Sequence, residues 1–345
     1  MMPILEREIY EQPEIIRAFI QTEEQNARRI AAELRGRFHY ILIAGRGSSD
    51  NAARYAQYLF GVHHRVQVAL ATPSLFTMYG AVPDMSGALV IGISQSGQSP
   101  DIVSVLAEGK KQGRPTLAIT NEAASPLARA ADFILPLSTG IEKAIAATKT
   151  YTTSLAALAL LSCCLSENAD HLAALRAIPD YIQRTLDGLA PSLRHAERYR
   201  YIEQTAVISR GLNYATAFEV ALKIKELTQV VAEPYSSADF LHGPIATAQP
   251  GFPVVVIATR GAVFQNIRSL IDELRQRRAE LLVISDDSQA LEAANLALPF
   301  PAGIPEWLTP LVAVVPGQCF AMRLTIEKGL NPDQPEGLRK VTETL

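Results

Sequence analysis

The sequence predicts an α/β protein built as two doubly wound parallel-sheet domains in tandem. Short aliphatic runs alternate with Ala/Leu-rich stretches of helical spacing. Strands that alternate with helices pack as a parallel sheet covered on both faces. The alternation stops near residue 170, and its restart near residue 201 repeats the opening. ILIAGRGSSDNAA (41–53) matches AVISRGLNYATA (206–217), and ALVIGISQSG (88–97) matches VVVIATRG (254–261). Such self-similarity marks an internal duplication. A length of 345 residues fits two domains of ~150 residues each.

The elements follow in order. Residues 1–30 read as an N-terminal helical segment. In the first domain (31–169), His39–Ala44, Ala88–Ser94 and Pro115–Thr120 read as buried strands, with Phe133–Leu137 a fourth. Asn51–Phe60, Asp101–Gln112 and Pro126–Ala131 read as helices between them, and Thr148–Leu165 as a long buried helix. Residues 170–200 carry apolar positions at helical spacing among many charges and read as a helical connector. In the second domain (201–330), Thr205–Ser209, Pro253–Ala258 and Leu281–Ser285 read as strands. Ala215–Thr228, Val263–Arg277 and Pro305–Ile326 read as helices, and residues 331–345 form a tail.

Composition excludes several function classes. Apolar residues make up 48% and charged residues 19%, too apolar for a disordered chain. The net charge of −3, from 32 basic and 35 acidic residues, gives no basic excess for nucleic acid or an anionic membrane. The longest apolar stretch, near Leu155 to Leu165, is shorter than the ~20 residues a membrane span needs. Charges inside the N-terminal segment argue against a signal peptide or anchor, so a cytoplasmic location is expected. Three cysteines without a CxxC, and six histidines without an HxxxH, point to neither disulfides nor a metal.

Four segments carry chemistry. In Ser94-Gln95-Ser96-Gly97-Gln98-Ser99-Pro100-Asp101, Pro100 fits the first helical position and Ser99 the N-cap. Hydroxyls and amides at the positive end of a helix suit a phosphate dianion, although a Ser/Gly turn before a capped helix has the same composition. Gly45-Arg46-Gly47-Ser48-Ser49 is a second such turn. Both follow parallel strands, at the sheet edge where open α/β sheets bind ligands. Neither matches GxxxxGK[ST] or GxGxxG, which disfavours a nucleotide.

On the helix 215–228, Glu219, Lys223 and Glu226 share one face. They read either as a solvated salt-bridge ladder or as a buried cluster with the perturbed proton affinity a general base needs. The surrounding Ala217, Phe218, Val220, Ala221, Ile224 and Leu227 favour burial. Lysine is scarce, eight against twenty-four arginines. Finally, His242 precedes Gly243-Pro244, outside any regular helix. It reads as a surface histidine or as an acid/base near neutral pH.

Taken together these segments resemble the sugar isomerase (SIS) domain family in tandem, with a flavodoxin-like fold. They resemble most the isomerase half of glutamine–fructose-6-phosphate aminotransferase. GRGSS, SQSGQSPD, GIEKAIAATKTY (140–151), EVALKIKEL, AEPYSSADFLHGP and NPDQP (331–335) stand in that family's order. The resemblance implies that Ser49, Ser94, Gln95, Ser96 and Ser99 hold the sugar phosphate and hydroxyls. It implies Glu226 as the base between C1 and C2, Lys223 as its neighbouring lysine, and His242 as the ring-opening group, with Glu219 counted among the substrate-binding residues. His242 would be donated across a homodimer interface. Lys340 matches a tail lysine that forms a Schiff base with the ketose, so the tail belongs to the active site. Ala147 stands where the family has a serine lining the sugar, and Glu336 where it has a basic residue.

The motif set without a glutaminase segment implies a glucosamine-6-phosphate deaminase/isomerase that yields fructose 6-phosphate and ammonia. The alternatives are an ammonia-dependent synthase, a plain phosphosugar isomerase, a fructosamine-phosphate deglycase, or a sugar-phosphate sensor without turnover. The resemblance implies a sugar phosphate as the ligand, no cofactor, and no metal.

Overall fold

A computed structural model describes residues 2–340. It contains two parallel five-stranded sheets. The first comprises β1 (Tyr40–Ala44), β2 (Gln67–Leu70), β3 (Ala88–Ser94), β4 (Thr116–Thr120) and β5 (Phe133–Pro136), in the order β2-β1-β3-β4-β5. The second comprises β6 (Gln204–Ser209), β7 (Val231–Ser236), β8 (Pro253–Ala258), β9 (Glu280–Ser285) and β10 (Leu296–Pro299), in the order β7-β6-β8-β9-β10. Counted within each sheet, these orders are the same: 2-1-3-4-5. The chain direction of the winding reverses between β1 and β3, where Ile43 faces Ile91, and between β6 and β8, where Val207 faces Val255. Ligand crevices in such sheets open at these switch points.

The sequence explains which strands are central. β3, β4 and β8 are buried along their whole length, as strands covered on both faces by helices must be. In the first sheet Val90 and Ala118 pack against Ile102, Val105, Leu106 and Leu127 of the flanking helices. In the second, Ile208, Val256 and Val283 pack against Ile267, Leu270 and Leu274. Each buried side chain of this kind contributes roughly 1.5–3 kcal/mol.

The chain divides into two compact units that are not contiguous in sequence. The first-sheet unit holds Glu14–Glu142, Lys149–Arg176 and residues 339–340. The second-sheet unit holds residues 2–13, Lys143–Thr148 and Ala177–Leu338. The division at 176/177 falls inside the stretch read as a connector. That stretch forms helices Ala169–Arg176, Ile178–Gly188 and Ala190–Leu193, followed by a 3-10 turn at Ala196–Tyr199. At the N-terminus a helix at Ile4–Tyr10 is followed by one at Gln12–Leu34, which runs past residue 30.

One sequence expectation is corrected. The segment nearest to a membrane span is not 155–165 but Glu306–Glu327, which is long and apolar enough by composition. In the fold, 89% of the apolar 18-residue window within it is buried. It is a core helix of the second-sheet unit, as its buried run from Thr309 to Met322 shows.

Candidate functional site

In the first-sheet unit, the two serine-rich loops leave β1 and β3, on either side of the switch point. Ser94 Oγ accepts from the Gly97 amide (3.1 Å) and Ser96 Oγ from the Gln98 amide (3.3 Å), so the turn curls around its own hydroxyls. β4 clamps its backbone, because the Asn121 amide donates to the Gln95 carbonyl (3.1 Å). Gly97 has φ +61°, and a Cβ there would lie 2.2 Å from Ser125 Oγ, so only glycine fits. Ser99 occupies the N-cap of the helix Pro100–Lys111, as its sequence position implies, but its side chain makes no cap bond. Ser49, on the first turn of the helix Ser48–His64, is half-buried. The loops therefore present hydroxyls at two helix starts, where the helix dipole favours an anion.

In the second-sheet unit, the helix Tyr214–Thr228 brings Glu219, Lys223 and Glu226 together. Lys223 Nζ lies 2.5 Å from Glu226 Oε2 and 3.4 Å from Glu219 Oε1. The Lys223 and Glu219 side chains are 1% and 0% exposed, while Glu226 keeps 25%. The solvated ladder is therefore excluded. A buried ammonium needs a fixed counter-charge, and Glu219 supplies it from inside. Glu226 is the member of the array that meets solvent, where a substrate would also meet it.

The remaining candidates are placed separately. His242 caps the C-terminus of the short helix Ser237–Leu241 and is exposed. Lys340 Nζ lies 2.8 Å from Glu142 Oε2 in the first-sheet unit. Glu142 is buried and also accepts from the Thr150 amide (3.1 Å) and Thr150 Oγ1 (2.8 Å). Ala147 is half-buried, in the segment grouped with the second-sheet unit. Among the described residues, no group of three or more His, Cys, Asp or Glu is placed to hold a metal ion.

Comparison with known proteins matches the SIS domain model over residues 38–162 and again over 202–328. The chain belongs to the SIS domain family. The glutamine–fructose-6-phosphate aminotransferase (isomerizing) of Pyrococcus horikoshii is 35% identical over 342 residues, covering 97% of this chain and 56% of that protein. The chain thus spans about half the length of the curated relatives it matches. The C-terminal domain of glucosamine-fructose-6-phosphate aminotransferase from Francisella tularensis superimposes with a TM-score of 0.87 at 27% identity, covering 97% of this chain and 99% of that one. Glucosamine-6-phosphate deaminase from Thermotoga maritima has the same fold, with a TM-score of 0.78 at 21% identity over 99% and 100% of the two chains. This is a tandem SIS protein related to the isomerase domain of the aminotransferase.

The two SIS domains fill their switch points differently. In the second, Asn213 donates from Nδ2 to Thr259 Oγ1 (3.0 Å) and Thr309 Oγ1 (2.7 Å), and its Oδ1 accepts from Thr216 (2.9 Å). The loop after β8 is occupied by the chain's own carboxylates. Glu306 Oε2 accepts from the Ala262 amide (2.9 Å), and a Cβ on Gly261 would lie 2.1 Å from its carboxyl carbon. Asp286 Oδ1 accepts from the Arg260 amide (2.9 Å).

Sequence reasoning missed the ion pair that ties the two serine loops of the first domain. Arg46 Nε and Nη2 lie 2.9 and 2.8 Å from Asp101 Oδ2. Both residues stand inside the motifs quoted, but 55 positions separate them, and no local pattern reports such a pair.

Proposed function

We propose that this protein is a phosphosugar aldose–ketose isomerase/deaminase that converts glucosamine 6-phosphate and water to fructose 6-phosphate and ammonia. The observation that carries the reading is the buried Lys223 bridging Glu219 and the solvent-facing Glu226. That array fixes one carboxylate at an accessible end, held by Lys223, where a carbon-acid base can meet its substrate. The serine loops of the first domain take the phosphate and so anchor the sugar.

His242 moves the proton that opens the ring. Glu226 takes the C2 proton and returns it to C1, which turns the aldehyde with a C2 amine into a ketimine. Water adds to the C2=N bond and ammonia leaves, giving the ketone. Lys340 carries that exchange: its amine adds to the C2=N carbon and expels the ammonia, and the water adds to the resulting lysine imine and frees Lys340 as the ketone forms. His242 serves a second copy of the chain in a homodimer, a role its exposure allows. The reading also includes a cytoplasmic location and no resident cofactor.

The test is a coupled assay of purified protein with glucosamine 6-phosphate. Equal amounts of ammonia and fructose 6-phosphate are expected. Ketose without ammonia from a neutral hexose phosphate, and no reaction with the amino sugar, would replace the deaminase with a plain isomerase. Tight sugar-phosphate binding without any turnover would replace it with a sensor.

A further inference from the structure

The geometry points to Arg46 as a phosphate-contacting residue, positioned by Asp101, that makes the crevice of the first SIS domain select phosphorylated sugars. The inference rests on the reading that the serine loops hold the substrate phosphate.

Asp101 is the second residue of the helix Pro100–Lys111, and its side chain is 0% exposed. A carboxylate there favours the helix dipole but repels an anion arriving at the same helix start. Its Oδ1 accepts from the Ile102 amide (2.9 Å), and its Oδ2 takes both bonds from Arg46. A buried carboxylate requires such a cation. Here it comes from the facing loop, so the pair bridges the two sides of the switch point.

Arg46 has capacity beyond this pair. A guanidinium is a planar fork with donors on more than one edge. The bonds to Asp101 run from Nε and Nη2, on one edge, and Nη1 points along another. The side chain remains 50% exposed. Across residues 45–49 and 94–101 it is the only cation, and every other polar side chain except Asp101 is neutral. Neutral hydroxyls alone would leave a dianion next to Asp101 uncompensated. Arg46 cancels Asp101 and offers a charge-assisted bond to phosphate, stronger than a hydroxyl gives. The corresponding loop of the second domain also has an arginine, Arg210, but the carboxylates and Asn213 fill that crevice.

The experiment uses the full chain. Calorimetric titration with inorganic phosphate is paired with steady-state kinetics on glucosamine 6-phosphate. Arg46→Gln is expected to weaken phosphate binding by about tenfold or more and to raise KM in parallel, with kcat held within about twofold. Arg46→Lys restores part of the affinity, because it keeps the charge without the fork. Asp101→Asn weakens binding less, and adds nothing in the Arg46→Gln background, since it acts through Arg46. A fall in thermal stability and kcat with unchanged phosphate affinity would overturn the inference and leave Arg46 a structural brace. Unchanged affinity in Arg46→Gln, with wild type binding phosphate, would overturn it while the loop reading stands. No phosphate binding by wild type would overturn the loop reading itself, and the inference with it. If Arg46→Gln does not fold, Arg46→Lys decides: native phosphate affinity in that variant contradicts a role for the fork.

Discussion

The two SIS domains wind their strands in the same order, yet their switch points are opposites. In the first, the loops after β1 and β3 hold each other through Arg46 and Asp101, and the Ser99 hydroxyl makes no cap bond. In the second, the loops after β6 and β8 are consumed by Asn213, Thr259 and Thr309, and by the carboxylates of Glu306 and Asp286. A duplicated fold therefore does not duplicate a site. The crevice that topology provides becomes a site only where the chain leaves donors for a ligand, and the second domain spends its donors on itself. The second domain holds instead the Glu219–Lys223–Glu226 array, on the helix Tyr214–Thr228.

The largest effect should come from that array. Glu226→Gln is expected to lower kcat by about 10²–10⁴-fold with little change in KM, the range a lost general base gives. Steady-state kinetics checks it, and an unchanged kcat would remove Glu226 from the chemistry. Next, Ser99→Ala in the first domain should raise KM about tenfold, or 1.4 kcal/mol, through one lost bond to a charged group. Glu306→Gln, at the matching place in the second domain, should leave KM and kcat as they are. Equal kinetic effects from the two would break the comparison.

A dimer test sharpens the division of roles. Glu226→Gln and His242→Ala, each inactive alone, should recover about a quarter of native activity when unfolded and refolded together. In a random mixture only one site in four pairs an intact Glu226 with an intact His242 of the other copy. No recovery would place His242 in the site of its own chain.

Smaller effects concern stability. Asn213→Ala removes a buried amide that serves three hydroxyl partners. It should cost about 1–3 kcal/mol in denaturant unfolding and leave KM unchanged, as a structural plug would. The first domain should also be the more acid-sensitive. His63 stacks on His171 with ring centres 4.5 Å apart, and His64 Nε2 lies 2.8 Å from Ser162 Oγ. Burial first, then His171 and His64, push the His63 pKa down to about 4 from 6.5. Its neutral form is thus native. The unfolded chain binds more protons between those values, so this contribution is present above pH 6.5 and lost as pH falls toward 4. The melting temperature should fall across that window, and less so in His63→Gln. A flat profile would contradict the assignment.

Much of the fold was legible because central strands of parallel sheets are continuous apolar runs. β3 and β8 are found where the residues Ala88–Ser94 and Pro253–Ala258 predict them. The strands left unread are edge strands. β2 and β10 have four residues each, and β7 carries Pro234, which an edge tolerates because its missing N–H leaves no gap in the ladder. Of the site, what shares one helix was readable: spacing alone puts Glu219, Lys223 and Glu226 on one face. What long-range folding assembles was not. Arg46 meets Asp101 across 55 positions, Ala262 meets Glu306 across 44, and Lys340 meets Glu142 across 198. The serine motif at 94–99 and its blank counterpart at 259–261 did show that only the first copy kept a polar loop.

The central claim is that one carboxylate, Glu226, carries a proton between C2 and C1. Turnover of glucosamine 6-phosphate in heavy water, with the fructose 6-phosphate examined by NMR, tests it most directly. The account predicts that whatever deuterium enters C1, through exchange of the proton on Glu226 with solvent, lies at a single one of the two C1 positions, because one base works on one face, and that Glu226→Gln forms no such product. Deuterium spread over both positions, or product formed at the native rate without Glu226, would contradict it.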